Sequence, residues 1–258
     1  MPLLKQKTIL ILVVLITLSA CNQIRPSNQN ISASQTTNEV AAANLDLAIE
    51  YMKQGAYENA LKNLEKAKKA DPGYAPTYNV TGLLYQQLGD SKKAEDNFKR
   101  ALSINNNDSS TLNNYGNFLC QQNKLEEAEK TFLKAAANPL YESPEIAITN
   151  AGLCLSNNQR ENDAEKYYRQ ALQLNPRVPQ ALIKMCEISF KLPNYLSARG
   201  YLQRYQQVAR HTAKSLWLGI QIEQELGDKD TVSSYALQLK NNYPDSQETT
   251  LLRGSGIQ

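Results

Sequence analysis

Histidine is almost missing from this chain of 258 residues; His211 stands alone. Four cysteines complete the soft-ligand inventory, so the common zinc signatures have too few residues to form. Charge of one sign is missing too. Lys and Arg total 28 against 25 Asp and Glu, and residues 1–20 carry two of the lysines and no acid, leaving 26 − 25 = +1 for the remainder. Such a balance gives no electrostatic footprint for nucleic acid. One short apolar run exists, at the start, which excludes a multi-span membrane protein. No HExxH, Walker loop, strand-borne GxGxxG or nucleophile elbow occurs. Gly254-Ser255-Gly256 reads as tail, and Glu126, Glu127 and Glu129 read as a solvated helix face. With one imidazole there is no choice of Ser–His or Cys–His unit. The expectation is a non-enzymatic protein with no metal, no cofactor and no small-molecule substrate.

The start of the chain reads as an address. Lys5 and Lys7 precede an eleven-residue stretch, Thr8–Leu18, apolar except for Thr8 and Thr17. Its length is that of a signal segment and short for a membrane span. Leu18-Ser19-Ala20-Cys21 resembles the bacterial lipobox, which implies that residues 1–20 are removed and that Cys21 carries diacylglycerol. More than one acyl chain holds a protein stably on a bilayer. Asn22 stands where an Asp favours inner-membrane retention, so the resemblance implies the periplasmic face of the outer membrane. In residues 22–40, twelve of nineteen are Ser, Thr, Asn or Gln, too polar to bury a core. Residues 21–40 are expected to be a flexible tether.

From residue 41 a period of 34 dominates. Ala60, Ala94 and Ala128 are 34 apart, Ala164 follows after 36, and Ala198 after another 34. Ala67, Ala101, Ala135 and Ala171 keep the same steps, with Leu64, Phe98, Phe132, Tyr168 and Leu202 between the columns. Upstream stand Ala48, Gly82, Gly116 and Gly152. Small residues at fixed columns allow close helix approach, a large apolar residue fills the adjoining space, and Pro72, Pro176 and Pro244 close units. The pattern resembles the tetratricopeptide repeat, which implies an all-α, right-handed solenoid of about six helix pairs. The units fall at about 41–74, 75–108, 109–144, 145–178, 179–212 and 213–246, with a cap near Ser246–Leu252 and a tail from Arg253 to Gln258. Two extra residues around Asn138–Tyr141 predict a longer exit turn from the third unit. Cys186 and Tyr205 break the columns in the fifth. In the sixth, Val232 and Ala236 fit with a register open by one residue.

Cys120 and Cys154, one repeat apart on first helices, are either a disulfide across units three and four or two buried thiols. Cys186 would stay unpaired. The concave face of such arrays is lined by first helices, which places Leu45, Ile49, Met52, Val80 and Leu83 on a nominally solvent-facing groove. Five apolar residues there form either a partner site or a surface covered by the N-terminal segment. Asn79, Asn113, Asn114, Asn117 and Asn150 form a row that either binds the backbone of an extended peptide or solvates the groove wall. Trp217, the one tryptophan, reads as packing before anchor.

Beyond the repeat, Asn113-Asn114-Tyr115-Gly116-Asn117-Phe118-Leu119-Cys120, Asn138-Pro139-Leu140-Tyr141 with Asn150-Ala151-Gly152-Leu153-Cys154, and Leu218-Gly219-Ile220-Gln221-Ile222 through to Tyr243-Pro244 resemble the PilF/PilW family of type IV pilus pilotins. Asn117 departs from an often aromatic position. The resemblance implies a lipid-anchored outer-membrane protein that binds the pilus secretin subunit and promotes its localisation and assembly. A general periplasmic adaptor, recruiting peptidoglycan or outer-membrane assembly factors, is the alternative.

Overall fold

The computed structural model describes residues 33–256, with side-chain burial from Asn38 onward. The expected signal segment and Cys21 lie outside them. The described residues from Thr37 onward belong to one compact unit.

Every described element is a helix. α1 (Ala33–Lys53) and α2 (Tyr57–Ala70) form the first pair, α3 (Ala75–Gln87) and α4 (Ser91–Ile104) the second, and α5 (Ser109–Gln121) and α6 (Leu125–Ala136) the third. α7 (Pro144–Asn157) pairs with α8 (Glu161–Leu174), α9 (Pro179–Lys191) with α10 (Tyr195–Gln206), and α11 (Ala213–Leu226) with α12 (Lys229–Asn242); α13 (Gln247–Gly254) closes the array. Helix starts follow the local chemistry. Asp90, Asp108, Asn194, Thr212, Asp228 and Ser246 each accept a hydrogen bond from a free first-turn N–H. Pro76, Pro144 and Pro179 occupy first-turn positions, where the missing donor costs nothing. The second helices carry one apolar stripe each, such as Ala94, Phe98 and Ala101 on α4, fully enclosed against the neighbouring first helices.

The small-residue columns do what helix approach requires. A methyl group on Gly116 would lie 2.7 Å from the Phe132 ring, and one on Gly152 would lie 2.7 Å from the Tyr168 ring. Gly82 and Phe98 repeat the arrangement at 2.9 Å. Gly219 does so with Tyr235, also at 2.9 Å, which settles the register of the sixth pair. The column residue there is Gly219, one position earlier than 34-residue counting from Cys186 gives.

Two boundaries differ from expectation. α1 begins at Ala33, so the last eight residues assigned to the tether, 33–40, are helical. A helix already packed through Ala41, Leu45 and Ala48 extends at little cost once nucleated, even through polar residues. At the other end α13 runs to Gly254, taking Arg253 and Gly254 out of the tail. Leu252 and Thr249 are enclosed there, and the Thr249 hydroxyl donates to the Tyr243 carbonyl at 2.7 Å. The exit from the third pair spans residues 137–143, against 105–108 after the second.

Candidate functional site: the first-helix face

The five apolar groove candidates do not stand exposed together. Leu45 is 6% exposed and packs with Ala48, Ala60, Leu64 and Leu84. Its helical spacing from Ala41 and Ala48 aims it into the core, so Leu45 is removed from the groove. Ile49, Met52 and Val80 are half-buried against that same cluster, and Leu83 is half-buried against the cluster around Phe98 and Phe118. They form a partly covered wall. On α1 the exposed apolar side chains are instead Val40 and Leu47, on another face of the helix. Periodicity shows which residues share a face of a helix, but not how far the next helix covers that face.

The asparagines are organised as pairs between successive first helices. The Asn114 amide donates to Asn79 Oδ1 at 3.1 Å, joining α3 to α5. The Asn150 amide donates to Asn113 Oδ1 at 2.9 Å, joining α5 to α7. All four are half-buried, and each pair consumes one donor and one acceptor, leaving amide capacity for another group. Asn117 is half-buried on the same helix. Gln86 and Gln121 make a further link, 2.7 Å, between α3 and α5. That the row pairs internally was invisible in single-residue spacing, because the pairs join positions 35 and 37 apart, not 34.

Cys120 and Cys154 are joined in a disulfide, Cα atoms 5.8 Å apart, clamping α5 to α7. Cys186 is free and enclosed, and burial pushes its thiol up to about 12, which leaves it an inert apolar group. Trp217 packs, partly buried, on the C-terminal core. His211 lies between the rings of Tyr205 and Tyr235, with Nδ1 3.0 Å from Ser215 Oγ and Nε2 enclosed without a partner. Burial lowers its pKa. Arg199 reaches Glu223, which is 2% exposed, and Asp228, tying α10 to α11 and to the turn after it. Nothing in the spacing of these charges had singled them out. Among the described residues no group of His, Cys, Asp or Glu could hold a metal ion, and no helix is long and apolar enough to cross a membrane.

Comparison with known proteins places the chain in a family. Tetratricopeptide-repeat models match residues 39–107, 97–130 and 147–178. The type IV pilus assembly protein PilF of Pseudomonas aeruginosa is 31% identical over 238 residues, spanning 92% of this chain and 94% of that protein. The chain belongs to the PilF family. A solved structure of Pseudomonas aeruginosa PilF superposes with a TM-score of 0.75, covering 85% of this chain and 99% of that one. PilW, described as a widely conserved type IV pilus biogenesis factor, is 34% identical with a TM-score of 0.70, over 83% of this chain and 99% of that one.

Proposed function

We propose that this chain is a pilotin: an outer-membrane lipoprotein, held at the periplasmic face through lipid on Cys21, that binds the type IV pilus secretin subunit and promotes its localisation and assembly into multimers. The similarity to Pseudomonas aeruginosa PilF across nearly the full length of both chains carries this reading. The lipobox-like Leu18-Ser19-Ala20-Cys21 supports the anchor. The logic is one of shared address: a partner without a lipid reaches the bilayer by gripping one that has it. The array supplies the grip and no chemistry, so the proposed role needs no cofactor beyond the covalent lipid, and no nucleic acid. The contact surface is the first-helix face, with Ile49, Met52, Val80 and Leu83 as the apolar wall and Asn79, Asn113, Asn114, Asn117 and Asn150 beyond it.

The test is a deletion strain complemented with wild type, Cys21→Ser, or a doubly substituted Ile49→Glu, Leu83→Glu chain checked for helicity by circular dichroism. Only wild type should restore secretin multimers in the outer-membrane fraction. Normal multimers in the uncomplemented deletion would refute the pilotin role. Recovery of peptidoglycan or outer-membrane assembly factors without secretin would point to a general adaptor.

A further inference from the structure

The long exit from the third pair builds a cleft that no repeat column accounts for. Asn138 ties the loop down: its amide donates to the Asn107 carbonyl at 3.1 Å and to Ser109 Oγ at 3.0 Å, while its Oδ1 accepts from the Leu140 N–H at 3.0 Å. Ser109 in turn donates to the Ala135 carbonyl at 3.1 Å. Held this way, the loop leaves Leu140 87% exposed, above every other exposed large apolar residue of the described region, and Ile146 45% exposed beside it. The cavity they flank has a volume of about 640 Å³, and its walls include Asp108, Ser110, Asn113, Tyr141 and Glu142. Asn113 is common to this cleft and to the asparagine pairs of the first-helix face.

The cleft carries uncompensated negative charge. Asp108 and Glu142 line it, Glu145 adjoins it, and no Lys or Arg is among its walls. Burial pushes the Tyr141 phenol up, and the neighbouring Glu145 and Asp108 add to it. Asp108 caps α5 by accepting from the Thr111 N–H, and Glu145 accepts from the Asn175 amide. Neither these two nor Glu142 joins an ion pair among the described residues. The starts of α5 and α7 each contribute about half a positive charge, which leaves the cleft near two negative charges.

We propose that this cleft seats an extended partner segment in which a basic residue adjoins an apolar one. The cation enters beside Asp108 and Glu142, the apolar side chain covers Leu140 and Ile146, and the main chain meets Asn113. Asn113 suits that last role because Asn150 occupies its oxygen and leaves its amide hydrogens to donate to a peptide carbonyl. The proposal rests on the reading that the array grips another protein and adds the chemistry of what it grips.

Fluorescence anisotropy tests it on the full-length chain in detergent, using labelled dodecapeptides of Gly and Ser carrying a central Lys-Leu or Glu-Leu. The Lys-Leu peptide should bind, more weakly as salt rises, and Glu142→Lys or Leu140→Ser should each weaken it by about tenfold or more. Both side chains are exposed, so neither change threatens the fold. Leu196→Ser, at an exposed site on α10 away from the cleft, should leave this binding intact. No binding, equal binding of the Glu-Leu peptide, or indifference to both variants would overturn the proposal. A dimer by sedimentation that Leu140→Ser dissolves would overturn it in favour of a second copy as occupant. The assay contains no secretin, so its failure leaves the pilotin reading standing, and failure of secretin capture leaves a positive peptide result standing.

Discussion

Glycine and an aromatic ring are coupled sixteen residues apart throughout this chain. Gly82 faces Phe98, Gly116 Phe132, Gly152 Tyr168 and Gly219 Tyr235. Where the column holds Ala48 or Cys186, the residue sixteen later is Leu64 or Leu202 in the same core cluster. The sum of volumes is conserved, as dense interiors demand. Gly116→Ala should therefore destabilise by about 1–3 kcal/mol, because the Phe132 ring must move. Adding Phe132→Leu should recover part of that loss, copying the Ala48–Leu64 pair; urea titration of the four-member cycle reads the coupling. Additive effects would mean that ring and glycine are independent.

At the scale of elements, the turn inside each helix pair needs one residue in the left-handed region. The positions are Gly55, Gly89, Asn123, Gln159, Pro193 and Gly227, in the same steps as the repeat itself. Gln159 holds that conformation with a side chain, at φ +64°. Gln159→Gly, which copies Gly89, should raise the melting temperature by a few degrees as about 1 kcal/mol of strain is relieved. A lower melting temperature would refute the strain. His211 governs a different response at the junction of α10 and α11. Its folded pKa lies below the ordinary value near 6.5, so the unfolded chain binds more protons between those two values. Stability is full above about pH 6.5 and falls as pH drops towards the folded pKa. The shifted carboxylates, lowered from 4.5 or 3.8, act only in more acid solution. Melting at pH 7.5 and 5.5 should show the loss in wild type and a smaller one in His211→Gln. Equal slopes would assign the effect elsewhere.

For the whole molecule, the repeat columns Ala60 to Ala198 made the helix pairs legible because their spacing is dictated by packing inside each pair. The asparagine pairs, the burial of Leu45 and the Leu140 cleft were not legible in the same way. They depend on how one pair sits against the next, which the chain states nowhere in a single column. The start of α1 was hidden for a related reason: Ala33–Val40 is helical through its continuity with a packed stretch, against its own polar composition. Cys120–Cys154 is the covalent counterpart of these contacts between pairs. Replacing both by Ser should cost about 4 kcal/mol in the chain-entropy model for a separation of 34 residues, read as a lower urea midpoint with helicity retained in buffer. An unchanged midpoint would show that the bond constrains nothing the unfolded chain would otherwise explore.

The same bond also sets how the array answers a pull. Force applied along the backbone passes from α5 directly to α7 through sulfur, so the 34-residue stretch between the two cysteines never carries load. About 110–120 Å of extension is withheld from the chain however far the other helix pairs unravel. A hauled array would thus lengthen through the residues on either side of this loop, while residues 120–154, Leu140 and Asn150 among them, stay off the load path.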